Sequence, residues 1–154
     1  MTPTAPTIMI ITDFNKKLSE AKENNQMGII DGDPFYTSPH GYNLKMRVYL
    51  NDTRKEYKGH LGVYLFVMKS DHDAMLSWPF KKKYTFTLID QQDDEEERKN
   101  IVKTIIPQGE HCFKRPNDQA QEGCGSPCFV SHGTLLIRKY IRDATAFITL
   151  TIEP

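Results

Sequence analysis

The chain has 154 residues, with 20 basic side chains balancing 20 acidic ones. That length is enough for a single core burying roughly two-thirds of the unfolded surface, and zero formal net charge gives nucleic acid or an anionic membrane no global attraction, so any electrostatic recognition rests on local patches. Three cysteines are an odd number beside an ample core, which points away from a disulfide framework and towards free thiols in a reducing, cytosolic compartment.

In chain order, residues 1–6 are a Thr/Pro-rich extension expected to be disordered, and a single domain is expected over 7–154. The start lacks the basic residues of a signal peptide, and no run reaches transmembrane length. Residues 7–12 are apolar and predict a short strand. Residues 15–25 offer only Leu18 and Ala21 as apolar positions, a stripe that predicts a solvated connection with no more than one helical turn. Two short edge strands are predicted at 27–30 and 34–37 around the turn Asp31-Gly32-Asp33, with a second turn at 38–41.

Residues 42–50 carry the clearest period of two. Tyr42, Leu44, Met46, Val48 and Leu50 fall on one face, and Asn43, Lys45, Arg47 and Tyr49 on the other, which predicts a strand with one face in the core and one wet. A polar connection follows at 51–59. The runs 61–68 and 84–89 are apolar without clean alternation, so both read as central strands covered on both faces. Between them a turn at 69–77 leads to Trp78-Pro79-Phe80, where proline rules out a central ladder position and Trp78 is expected to cap the core at a corner.

The acidic run 93–97 reads as a solvated loop. Beyond it come an apolar stretch at 101–106, a loop at 107–112, a long glycine-containing loop at 117–127, and closing strands at 129–130 and 147–152. Ile148, Leu150 and Ile152 share one face of the last. Many short strands separated by turns, with no strong helix and no internal repeat, predict an all-β fold: an antiparallel β-sandwich of about eight strands.

Cys112, Cys124, Cys128 and His132, with His111 nearby, could supply soft ligands to zinc, but their spacing matches no zinc knuckle. Cys128, next to Phe129 in an apparent strand, reads instead as a small buried hydrophobe. A cysteine and histidine could also form a thiol nucleophile, and no local signature accompanies them. His40, His60 and His72 fall in or beside turns. No metal, no cofactor and no catalysis are expected.

The segments Pro34-Phe35-Tyr36-Thr37-Ser38, Gly41-Tyr42-Asn43-Leu44, Arg47-Val48-Tyr49-Leu50-Asn51, His60-Leu61, Asp73-Ala74, Trp78-Pro79-Phe80, Asp90-Gln91 and Tyr140-Ile141-Arg142-Asp143 together resemble the carboxy-terminal TRAF domain. This is the MATH-type β-sandwich of tumour-necrosis-factor-receptor-associated factors, and the resemblance runs in collinear order from about Thr7 to the end. It implies binding rather than catalysis: a cytosolic adaptor that captures short acidic motifs of receptor tails or signalling partners by strand addition at a sheet edge. The runner-up keeps the fold and makes the chain a MATH-type substrate-recognition module for a ubiquitin ligase.

The resemblance places Arg47 and Tyr49 at the acidic anchor, with Tyr64 as the groove floor and Thr53 and Ile105 beside it. An arginine fork suits a carboxylate, and a tyrosine two residues on shares its face. Where members that read glutamine or glutamate carry a serine triplet before the phenylalanine aligned with Phe113, this chain has Glu110, His111 and Cys112. Cys124, Gly125 and Ser126 align with the loop lying against the bound peptide, where glycine permits close approach. Family members trimerise through a coiled coil, so a homotrimer is implied in the full-length context. Residues up to 33 show no sustained heptad, and this chain alone is expected to be a monomer or a weak trimer.

Overall fold

Alternation along residues 43–49 sets the frame of the molecule, because the apolar alternate positions must be buried against a second layer. The computed structural model describes residues 6–52, 54–117 and 122–154. Its elements are β1 (Thr7–Ile11), α1 (Phe14–Glu23), β2 (Ile29–Asp31), β3 (Phe35–Tyr36), β4 (Asn43–Tyr49), β5 (His60–Met68), β6 (Tyr84–Leu88), β7 (Ile101–Ile105), β8 (Cys124–Ser131) and β9 (Ala146–Ile152). One sheet runs β1-β9-β6-β7; the other runs β2-β4-β5-β8, with β3 also on β4. All pairings are antiparallel, so the fold is the expected all-β sandwich. Leu44, Met46 and Val48 of β4 share a single buried core with Phe86 and Leu88 of β6 and Ile148 and Leu150 of β9.

β5 is buried from 61 to 67, as its unbroken apolar run implies. β6 differs from expectation. Although it lies between β9 and β7, its burial alternates, because the outer face of its sheet is left to water and carries Thr85, hydrogen-bonded to Thr104 at 3.0 Å. The expected solvated connection at 15–25 is instead the ten-residue helix α1. Phe14, Leu18 and Ala21 fall on one side of it and are buried, and the Phe14 amide is tied to the Ala144 carbonyl at 2.8 Å. Three well-spaced apolar side chains suffice for a helix whose stability comes from packing.

Residues 27–28 belong to a short 3-10 turn (Asn25–Gly28), so β2 starts only at Ile29. Trp78 is half-buried and packs against the core. Its indole N–H donates to the Asp73 carbonyl at 2.9 Å, and its ring meets Tyr42 edge-on at 5.2 Å. Phe80, fully buried against Tyr42, Tyr84 and Phe113, closes that end of the core. The Trp78–Pro79 bond is cis.

The segment 124–127, expected as loop, forms the first half of β8. Gly125, Ser126 and Pro127 have little strand propensity, but pairing on β5 needs only backbone groups, and the register shifts between Leu61 and Val63, near Pro127. The expectation of three free thiols is also overturned, and with it the cysteine argument for a reducing compartment. Cys112 and Cys124 form a disulfide with Cα atoms 6.0 Å apart, tying the turn His111–Phe113 to the start of β8. Cys128 is free but exposed, not buried. His60 opens β5 directly after the turn at 58–59, while His72 points its Nε2 at the Gly41 carbonyl, 2.8 Å away.

The exposed acidic run is anchored from beneath. Asp90 is completely buried and accepts from Arg138 Nε at 2.6 Å and from the Lys99 and Lys139 amides. Gln91 donates to the carbonyls of Tyr140 and Thr145, and Arg142 meets Asp93 at 2.7 Å. The predicted disorder of 1–6 falls, for residues 1–5, outside the described residues. No helix among the described residues is long and apolar enough to cross a membrane.

Candidate functional site

The outer face of the β2-β4-β5-β8 sheet gathers the polar and aromatic positions left over once the core is filled. Register places Arg47 opposite Tyr64, Lys45 opposite Phe66, and Tyr64 opposite Gly125. Side chains opposite one another across a ladder share a face, so Lys45, Arg47 and Tyr49 of β4 lie beside Tyr64 and Phe66 of β5. On β8 the corresponding position is glycine. A Cβ at Gly125 would run into the backbone of Val63 and Tyr64, and one at Gly123 would meet the Phe66 ring. Gly125, in β8, and Gly123, just before it, put no side chain on this side and open the floor to the free edge of the sheet.

The result is a groove of about 420 Å³ lined by Arg47, Tyr49, Asp52, Arg54, Tyr64, Phe66, Glu122 and Gly123. Its aromatic floor is well covered: Tyr64 and Phe66 are both buried, and the Lys45 and Arg47 side chains lie over the Phe66 ring. The Arg47 guanidinium sits 4.7 Å from the Phe66 centroid and 5.8 Å from that of Tyr49. Tyr49 and Tyr64 pack edge-on at 5.2 Å. Tyr64 donates its hydroxyl to Asp52 Oδ2 at 2.9 Å, and burial first, then this bond, raises its pKa.

Arg47 is not an idle fork. Its Nε and Nη2 donate to the two carboxylate oxygens of Asp31 on β2 at 2.6 and 3.1 Å, and Nη1 donates to the Tyr49 hydroxyl at 3.2 Å. The Arg47 bond is the largest cause holding Asp31 below the ordinary carboxylate range, against the opposing push of burial. Asp31 in turn lifts the arginine further above its usual value. Sequence reading assigned Asp31 to a turn and missed it as a site residue. Its role follows only from the register of β2 on β4, which sets Asp31 opposite Arg47.

Of the positions named from sequence, Arg47, Tyr49 and Tyr64 converge on the groove, and Gly125 borders it. Ser126 lies opposite the core residue Val63 and is buried. Cys124 is bonded to Cys112, and its carbonyl accepts from the Tyr84 hydroxyl at 2.9 Å. His111 is exposed on the adjoining turn. Ile105, on β7, faces Tyr84 across its own sheet and does not line the groove. Thr53 lies outside the described residues. Among the described residues, no group of three or more His, Cys, Asp or Glu side chains is arranged to hold a metal ion.

A two-sheet sandwich with β8 at a sheet edge, a glycine in that strand and an arginine-bearing, aromatic-floored groove beside it defines a MATH-type domain. The TRAF/meprin MATH domain family matches residues 28–149, and the chain belongs to that family. TNF receptor-associated factor 5 of Mus musculus is 36% identical over 146 residues, covering 93% of this chain and 25% of that protein. TNF receptor-associated factor 2 of Homo sapiens is 32% identical over 145 residues, with 93% and 28% covered. The solved structure of Notothenia coriiceps TRAF5 superposes with a TM-score of 0.87 at 26% identity, over 97% of this chain and 73% of that one. The chain spans about a quarter of the length of these curated relatives.

Proposed function

We propose that the chain is a cytoplasmic signalling adaptor domain that binds short acidic segments of receptor tails or other signalling proteins by strand addition along β8. In the full-length setting we propose that three copies act together. The observation that carries the reading is the juxtaposition of β8, unpaired on its outer side among the described residues, with the groove that holds Arg47 and Tyr49. An added strand gains its affinity from main-chain hydrogen bonds and its specificity from pockets for alternate side chains. It would lie three strand spacings of about 4.8 Å from β4. An acidic side chain crossing the glycine positions of β8 meets the long Arg47 side chain over the Tyr64 and Phe66 floor.

Arg47 keeps 24% of its side chain exposed and Asp31 keeps 40%. The anchor is therefore a rim contact rather than a desolvated one, and Arg47→Ala is expected to weaken an acidic peptide by about 1–2 kcal/mol rather than the larger loss of a buried pair. Titration calorimetry with a Glu-containing peptide, its Gln counterpart and a Ser/Thr-rich degron-type peptide tests the reading. Preference for the Glu peptide, lost in Arg47→Ala, supports it. Preference for the Ser/Thr-rich peptide, unaffected by Arg47→Ala, supports the ubiquitin-ligase recognition module instead.

A further inference from the structure

Arg47 already holds a carboxylate. Asp31 engages it in a two-pronged arrangement, Nε to Oδ1 at 2.6 Å and Nη2 to Oδ2 at 3.1 Å, the geometry in which an arginine takes the acidic side chain of a ligand. The placement is a product of the ladder, since Asp31 is the cross-strand partner of Arg47 between β2 and β4. β2 is only three residues long and forms the other edge of the sheet. Nothing seals the pair, as both side chains reach solvent.

Resting on the acidic-peptide reading of this groove, the geometry points to Asp31 as a resident pseudo-ligand that competes with the incoming carboxylate for the Arg47 fork. Tethered within the same sheet, Asp31 acts at high effective concentration. A ligand carboxylate therefore gains only the difference between its own contact and the one it replaces. The exchange has a landing place: Lys45 Nζ lies 3.5 Å from Asp31 Oδ2, so a displaced Asp31 keeps a cation and is not left bare. Lys45 itself stands 5.3 Å from the Phe66 centroid, beside Arg47 on the same ring. The Tyr49 hydroxyl, bonded to Nη1 rather than to the two nitrogens that Asp31 uses, holds the guanidinium in place during the exchange. Asp31 thus sets the threshold of the site. Segments with a strong local negative charge pass it, and a single weakly placed acid does not.

The test is calorimetry of a synthetic peptide with two central glutamates in a Ser/Ala background, and of the same peptide with two glutamines, against wild type, Asp31→Asn and Asp31→Ala, each checked for an unchanged fold by its thermal melt. Both variants are expected to bind the Glu peptide about threefold to tenfold more tightly than wild type, as expected for removal of a competing ion pair at a solvent-reachable site. The Gln peptide should bind all three proteins alike. Equal or weaker Glu-peptide binding by both variants, with wild type still preferring the Glu peptide to the Gln peptide, would show that Asp31 positions the arginine rather than competing for it, and would overturn the inference alone. A Glu peptide bound no better than the Gln peptide by any of the three would overturn the acidic-peptide reading itself, and this inference with it.

Discussion

Gly125 is the position at which the fold and the proposed site depend most directly on one missing atom. A Cβ there would overlap the Val63 carbonyl oxygen and stand 2.7 Å from the Tyr64 Cα and 2.9 Å from the Val63 carbonyl carbon. All three are backbone atoms of the central strand, and no rotamer change relieves them. In Gly125→Ala, β8 must therefore move off β5 around the pairs Leu65↔Cys124, Tyr64↔Gly125 and Val63↔Ser126. Overpacking of this kind costs about 1–3 kcal/mol, and each ladder hydrogen bond lost adds about 1 kcal/mol. The reduced freedom of the unfolded chain returns about 0.4–1 kcal/mol. The net expectation is a loss of about 2–3 kcal/mol, read as a lower urea midpoint at unchanged slope. Gly109→Ala is the internal control, because it also replaces glycine but has nothing within 4 Å of the added atom, only a positive φ of 82°; its cost should stay near 1 kcal/mol. Equal stability losses in the two variants would refute the argument from close approach.

Phe80→Ala should cost about 3–5 kcal/mol in denaturant unfolding, as expected for a fully buried ring, whereas Trp78→Ala, half-buried and held by one indole bond, should cost about half as much. His132 has its pKa lowered mainly by burial, with the Leu50 carbonyl opposing. Between the ordinary value of 6.5 and the folded value the unfolded chain binds the extra proton, so His132 contributes stability present above about pH 6.5 that is lost as pH falls. Thermal melts across that window should show the loss, and His132→Gln should flatten it. Thiol titration of the denatured, unreduced protein should find one reactive cysteine, Cys128, and reduction of the Cys112–Cys124 bond should lower stability by about 2–3 kcal/mol for so short a loop. Three reactive thiols before reduction would contradict the pairing.

Much of the sandwich is legible in the sequence because a strand with one face in the core must alternate, and residues 43–49 and 147–152 do so without interruption. The central position of β5 is legible for the opposite reason, since burial on both faces leaves no polar alternate. What escaped was decided by partners far away in the chain. Helix α1 shows too few apolar residues for a periodicity argument, yet Phe14, Leu18 and Ala21 each find a slot. The first half of β8 reads as loop because glycine and proline carry no strand preference of their own, and only β5 makes them a strand. Cys112 and Cys124 are paired by the fold, not by any spacing rule. Arg47, Tyr49 and Tyr64 were legible as a group through the family resemblance and the parity of β4. That Arg47 would already be engaged was not, since Asp31 reaches it from an edge strand of three residues whose register no local pattern announces.

The account rests on strand addition at β8, and amide hydrogen exchange of the free and peptide-saturated protein tests that most directly. With the Glu peptide bound, protection should rise along residues 124–131 of β8, while β2 at the far edge of the same sheet and β1 in the other sheet keep their free-state rates. Protection that appears at β2, β1 or β7 while β8 stays unchanged would place the ligand on another surface and contradict the assignment of the site.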